Sequence, residues 1–159
     1  MKKSVLFVCL GNICRSPAAE AVFKEFVNRE GFAEQIMCDS AGIAGYHVGE
    51  SADRRMQSCA MRHGYKLTSF ARKFNPARDF KDFDFIVGMD DSNISDLKRL
   101  SNNVEELSKI YKMTDFCSAK GLYEVPDPYY GGIDGFELVI RILEDACENL
   151  FEKIKSFEH

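Results

Sequence analysis

The run Cys9-Leu10-Gly11-Asn12-Ile13-Cys14-Arg15-Ser16 places a thiol and a guanidinium six residues apart, directly after an apolar stretch and directly before an amphipathic one. A loop that leaves a strand and enters a helix N-terminus presents unpaired N–H groups and the positive end of the helix dipole, and together these attract anions. Gly11 and Asn12 tolerate the left-handed backbone that turns successive N–H groups inward. Arg15 can lay its planar fork on two phosphate oxygens. Thiols near helix N-termini and cations ionise with pKa values of roughly 3.5 to 7.5 instead of about 8.5, so Cys9 is expected to be an exposed thiolate at neutral pH. A thiolate beside an oxyanion cradle is a nucleophile for phosphoryl transfer. The bland alternative makes Cys9 a small buried hydrophobe and Arg15 a surface charge, and it leaves the order strand, loop, capped helix unexplained.

Expelling an alkoxide or phenolate from phosphorus calls for a proton donor. Asp127 lies between Pro126 and Pro128, in a stiff segment from which it could protonate the leaving oxygen and then act as base towards water. On composition alone an ordinary turn aspartate accounts for it better. Tyr129 and Tyr130 are either packing aromatics or walls that stack on a phenyl ring. His47 reads as a loop residue and His63 as a helix-end cap before Gly64. Cys38, Cys59, Cys117 and Cys147 lie in apolar surroundings and read as packing residues. No second close pair of Cys or His accompanies Cys9 and Cys14, and His47, His63 and His159 are dispersed, so neither a metal nor another cofactor is expected.

The elements that must hold these residues follow from periodicity. Residues 4–9 form an apolar run without alternation, the pattern of a strand buried on both faces. Ser16 suits a helix N-cap and Pro17 the first helical position, so a helix is predicted over 17–30, with Ala19, Val22, Phe23, Phe26 and Val27 on its inner face and Gly31 ending it. A second strand is predicted over 36–41 and a helix over 53–63, stopped by Gly64. Residues 83–89 form the clearest later strand, 91–100 a polar helix and 109–113 a short strand. Residues 114–135 form an irregular segment of a length that is usually functional. Phe136, Val139, Ile140, Leu143, Cys147, Leu150 and Ile154 then mark one long amphipathic helix. The result is a doubly wound α/β fold, a four-stranded parallel sheet with helices on both faces. Ligands of such sheets bind beyond the C-terminal strand ends, which is where residues 9–16 lie.

With 159 residues, 45% of them hydrophobic, the chain has material for one domain with a real core. A formal net charge of −4 with dispersed lysines and arginines argues against a nucleic-acid partner, yet a single phosphate needs only a few well-placed donors. The start MKKSVLFVCLG resembles a leader at first sight. Phe7 and Val8 are too large for a cleavage site, Asn12 and Arg15 interrupt the apolar run, and no stretch approaches the roughly 18 residues of a membrane span. A cytoplasmic location with reduced cysteines and no membrane contact is therefore expected.

The residues Val8 to Pro17, VCLGNICRSP, match throughout the signature of the low-molecular-weight protein tyrosine phosphatases, a family this chain resembles. The resemblance continues in order through Asp39-Ser40-Ala41-Gly42, Arg62-His63-Gly64, Ala71-Arg72, Met89-Asp90-Asp91-Ser92-Asn93 and Asp127-Pro128-Tyr129-Tyr130. It implies hydrolysis of phosphotyrosine in protein substrates, without metal, through a phosphocysteine on Cys9. Arg15 and the amides of Leu10, Gly11, Asn12, Ile13 and Cys14 would hold the phosphate, Ser16 would donate a hydrogen bond to the thiolate, and Asp127 would be the general acid. Asn12, Ser16 and Ser40 would brace the loop, with Tyr46, Tyr129 and Tyr130 walling the pocket. Many relatives carry a second histidine where this chain has Phe70, so a polar link from there to the loop is expected to be absent or rerouted. Cys14, five residues from Cys9 in the same curved loop, is expected to capture an oxidised Cys9 as a disulfide. Arsenate reductases use a similar cradle but need further cysteines, absent from the segment VGMDDSN at residues 87–93. Relatives acting on phosphoarginine carry Thr at the position of Ile13 and lack the paired tyrosines. A phosphate-binding module without turnover would have no use for the thiol and the acid together.

Overall fold

A computed structural model describes residues 2–119, 121–129 and 131–157. Strand β1 (Lys3–Cys9) leads into α1 (Arg15–Arg29), followed by β2 (Ile36–Gly42), α2 (Arg54–Arg62), α3 (Pro76–Asp82), β3 (Phe85–Gly88), α4 (Asp91–Leu100), α5 (Val104–Leu107), β4 (Ile110–Lys112) and α6 (Ile133–Ser156). The four strands form one parallel sheet in the order β2-β1-β3-β4. β1 is central, with Cys9 opposite Gly42 on one side and Val8 opposite Gly88 on the other. The chain winds from β1 to β2 in one direction and to β3 in the other, so the order reverses at the C-terminal end of β1. That is the crevice where doubly wound sheets bind ligands.

The unbroken apolar run of β1 reflects burial on both faces. Val5, Phe7 and Cys9 join a core with α1, α2 and α6, whereas Leu6 and Val8 join Phe74, Phe80, Ile86 and Leu97 on the opposite face. Phe7 meets Phe23 of α1 edge-on with ring centroids 5.5 Å apart. Fully burying each such ring contributes about 1.5–3 kcal/mol. Among the described residues no helix is long and apolar enough to cross a membrane.

Several boundaries differ from the sequence expectation. α1 begins at Arg15, and the residue at its N-cap, Cys14, makes no side-chain cap. Ser16 is already helical, so its hydroxyl is not a cap, and Pro17 stands third in the helix, still where its missing N–H costs nothing. α2 follows the expected pattern, with the Asp53 carboxylate accepting from the N–H groups of Arg55 and Met56. The short helices α3 and α5 and a 3₁₀ turn over Met113–Phe116 occupy stretches read as irregular or left unread, and α6 starts at Ile133.

Candidate active site

Residues 10–14 fold into a tight loop at the end of β1. Its carbonyls are held from outside: Ile43 N donates to Cys9 O at 2.9 Å, Ala44 N to Leu10 O at 2.9 Å, and Asp53 N to Ile13 O at 2.8 Å. No N–H of residues 10–14 has a partner among the described residues. The loop is thus a ring of free donors against the N-terminus of α1, which is the arrangement that binds an anion. Asn12 has φ 58°, the left-handed region, whereas Gly11 does not. Of the two residues expected to tolerate that backbone, Asn12 alone adopts it. A side chain there would approach the His47 ring to 3.0 Å, so Gly11 serves close approach. Gly42 does the same from β2, where a Cβ would lie 2.9 Å from Leu10 O.

A polar chain runs beneath the loop. Arg72 N–H donates to Asn12 Oδ1 at 2.9 Å, which orients the amide so that Asn12 Nδ2 donates to Ser16 Oγ at 2.8 Å. Ser16 Oγ lies 3.0 Å from Cys9 Sγ. Because Asn12 fills an acceptor site of the hydroxyl, its single proton is left for the sulfur or for Ala41 O, 3.5 Å away. Cys9 is 3% exposed, at the floor of the pocket. The expectation of an exposed thiolate is corrected: β1 carries the sulfur into the core, and access runs through the pocket alone.

Arg15, also 3% exposed, donates from Nη1 to Asp90 Oδ2 at 2.7 Å and to Val125 O at 3.1 Å. Its Nη2 lies 3.5 Å from Asp127 Oδ2. Burial works against the guanidinium charge, but Cys9, Asp90 and Asp127 outweigh it and raise the Arg15 pKa. Asp90 is itself fixed as the N-cap of α4 in a reciprocal capping box with Asn93. Asp127 sits at the pocket edge, its side chain 42% exposed, with Oδ1 accepting from Tyr129 N at 3.0 Å.

The pocket of about 220 Å³ is lined by Cys9, Leu10, Gly11, Ile13, Cys14, Arg15, Tyr46, His47, Asp127 and Tyr129. Tyr46, 76% exposed, stands on the rim. Arg55 reaches over the Tyr129 ring, 5.3 Å from its centroid, while pairing bidentately with Asp53. Cys14 is buried, and burial first, then Asp53, Cys9 and Asp127, pushes its thiol well above the ordinary range. Tyr130 lies outside the described residues. Ser40 does not hydrogen-bond to the loop; its hydroxyl donates to Glu20 Oε1 of α1 at 2.6 Å. Phe70 is 67% exposed and plays no part. The polar link to the loop from this segment runs instead through the Arg72 amide, which donates to Asn12 Oδ1. His47, Asp90, Arg55 and Arg72 escaped sequence reasoning as site residues. Only Asp90 carried a local signal, as an acid three residues before an Asn at a helix start.

The profile of the family described as low molecular weight phosphotyrosine protein phosphatase matches residues 4–158. The human low molecular weight phosphotyrosine protein phosphatase is 45% identical over 152 residues, covering 95% of each chain. Among solved structures, a protein tyrosine phosphatase from Entamoeba histolytica superposes with a TM-score of 0.94 at 47% identity, covering 99% of this chain and all of that one. A Drosophila arginine phosphatase superposes at 0.88 with 34% identity, covering 98% of each chain.

Proposed function

The chain belongs to the low molecular weight phosphotyrosine protein phosphatase family, and from that premise we propose that Cys9 is its nucleophile, Arg15 its phosphate clamp and Asp127 its general acid. The observation that carries this reading is the convergence of Cys9 Sγ, the free N–H groups of residues 10–14, Arg15 and Asp127 on one pocket. A phosphotyrosine enters with its phosphoryl oxygens on the loop amides and the Arg15 guanidinium and its ring between Tyr129 and Tyr46. The Cys9 thiolate attacks phosphorus in line with the ester oxygen. As the P–O bond breaks, Asp127 gives its proton to the departing phenolate, and phosphocysteine remains. Asp127, now a carboxylate, takes a proton from water, whose oxygen attacks phosphorus. The S–P bond breaks, and inorganic phosphate and the thiolate are released. The hydrogen bond from Ser16 favours the thiolate both as attacker and as leaving group. Depth supports an aromatic ester, because a buried sulfur demands a substrate that reaches down a narrow pocket.

Tyrosine-phosphorylated proteins are accordingly the substrates, in the cytoplasm, and Cys14 would capture an oxidised Cys9 as a disulfide. Cys9→Ser is expected to abolish turnover of an aryl phosphate while inorganic phosphate still binds, and a chelator is expected to leave the parent unaffected. Activity above a few per cent in that variant would remove Cys9 from the role. Because an arginine phosphatase shares the fold, phosphoarginine is assayed beside phosphotyrosine. Ile13 and Tyr129 favour the aryl ester, and a preference for phosphoarginine would overturn the substrate assignment.

A further inference from the structure

Away from the phosphate pocket, Cys59 and His63 stand one turn apart at the C-terminal end of α2, facing Glu137 in the second turn of α6. One ligand atom from each, the Cys59 sulfur, a His63 ring nitrogen and a Glu137 carboxylate oxygen, lies within 4.8 Å of the other two. His63 Nε2 is 2.5 Å from Glu137 Oε2, and Glu137 Oε1 accepts from Arg62 Nη2 at 2.9 Å. Cys59 is 1% exposed beneath the pair, whose side chains are 27% and 24% exposed. The cluster therefore has a soft donor at its floor, two borderline and hard donors at its mouth, and one side open to water. None of the three lines the phosphate pocket.

We propose that Cys59, His63 and Glu137 form a binding site for a thiophilic divalent cation of the zinc class, with water in the fourth position. Tetrahedral zinc with bonds of about 2.0–2.3 Å sets its ligand atoms about 3.4–3.7 Å apart. That spacing lies inside the 4.8 Å within which the three atoms stand, and the contact between His63 and Glu137 must open by about 1 Å through side-chain rotation. One sulfur, one nitrogen and one oxygen with an open position suit a borderline-soft cation and disfavour magnesium or calcium, which take oxygen ligands. Binding converts the Cys59 thiol to a thiolate, whose proton passes to solvent. His63 offers the lone pair of Nε2, and any proton held there leaves the same way. Thiolate and carboxylate then balance the two positive charges. Arg62 is the competing cation and must release Glu137 Oε1 or accept a shared carboxylate. The site replaces a hydrogen-bonded clasp between α2 and α6 with a coordinate one, and α2 begins beside Asp53, whose N–H holds Ile13 O of the phosphate loop. Its role is structural support for that loop, outside the chemistry.

The test is a cobalt(II) titration of the Cys9→Ser protein, in which the pocket thiol cannot bind metal, read by the thiolate-to-cobalt charge-transfer band and the visible bands of tetrahedral cobalt. A single equivalent is expected to saturate both, zinc to displace them, and zinc to raise the thermal midpoint. Adding Cys59→Ser should remove the charge-transfer band, and His63→Gln or Glu137→Gln should weaken binding by about tenfold or more. Arg62→Gln should tighten it. Because Cys59 is buried and its replacement could disturb α2, the rim variant Glu137→Gln carries equal weight. The proposal is overturned if cobalt up to about millimolar gives no charge-transfer band, if the band persists in Cys59→Ser, or if Glu137→Gln binds as tightly as its parent.

Discussion

The Cys9 sulfur stands at the end of a chain of three hydrogen bonds that starts at a backbone amide. Arg72 N–H sets Asn12, Asn12 sets Ser16, and the one proton of Ser16 has Cys9 at 3.0 Å and the more distant Ala41 O as its acceptors. The acid role proposed for Asp127 is separable, because only poor leaving groups need protonation. Asp127→Ala is expected to slow phenyl phosphate by orders of magnitude more than an activated nitroaryl phosphate, and equal slowing of both would remove Asp127 from the acid role. Cys14 calls for a different measurement. In the proposed redox role, peroxide would oxidise Cys9 to a sulfenic acid, and attack by the Cys14 sulfur would then form the disulfide and release water. The high pKa of Cys14 makes its thiolate scarce, so ring closure should be slow and competition from further oxidation real. In Cys14→Ser, peroxide should leave a larger fraction that dithiothreitol cannot restore, with Cys9 recovered as sulfinic or sulfonic acid. Equal recovery of variant and parent, with no linked Cys9–Cys14 peptide, would return Cys14 to a packing role.

α1 shows what elements contribute beyond their residues, because it carries Arg15 and Ser16 to the loop on one side and Glu20 to the Ser40 hydroxyl of β2 on the other. Glu20 is buried against the Ser40 hydroxyl, and burial raises its pKa despite that hydrogen bond and the nearby Lys24. A carboxyl raised in the folded state stabilises most below its unfolded pKa, and that contribution is lost as pH rises through the folded value. Glu20→Gln removes this dependence. The midpoint difference, variant minus parent, should therefore climb from below the ordinary carboxylate value of 4.5 towards neutral pH, and a flat difference would show that Glu20 is ionised without cost. Elements with strong signals were legible in sequence: β1 from its unbroken apolar run, α2 from Asp53 and Gly64, and α4 within its bounds. α3 was passed over although Asn75-Pro76 begins it and Asp79 Oδ2 accepts from Asn75 N at 2.7 Å, because seven residues are too few for a periodic stripe. The start of α1 was misplaced for a physical reason. Ser16 carries the signature of a cap, but tertiary partners at Cys9 and Asn12 claim its hydroxyl. The loop itself was readable as a unit, whereas Asp90, Arg72 and Arg55 reach it only through the fold.

At the scale of the molecule, the phosphate loop is the junction where the layers meet. It continues β1, opens α1, is held by the segment after β2 through Ile43 and Ala44, and is tied to the start of α2 through Asp53 and to the Arg72 segment through Asn12. An anion seated on its N–H groups therefore binds a surface that exists only when all of these are docked, and the unfolded chain offers no counterpart. Binding to the folded state alone stabilises by about 2.7 kcal/mol at a hundredfold excess over Kd. For a chain of this length each 1 kcal/mol moves the thermal midpoint by roughly 2–4 °C. Inorganic phosphate at that excess should thus raise the midpoint by about 5–11 °C, with a logarithmic dependence on concentration. Arg15→Lys offers a point charge in place of the fork and should need a much higher phosphate concentration for the same rise. Asn12→Ala should lower the midpoint without phosphate and blunt the response, since the left-handed turn and the amide relay are lost together. A phosphate response undiminished in Asn12→Ala would mean that the anion is held by Arg15 and the helix dipole alone, and that the loop amides do not act as one preformed cradle.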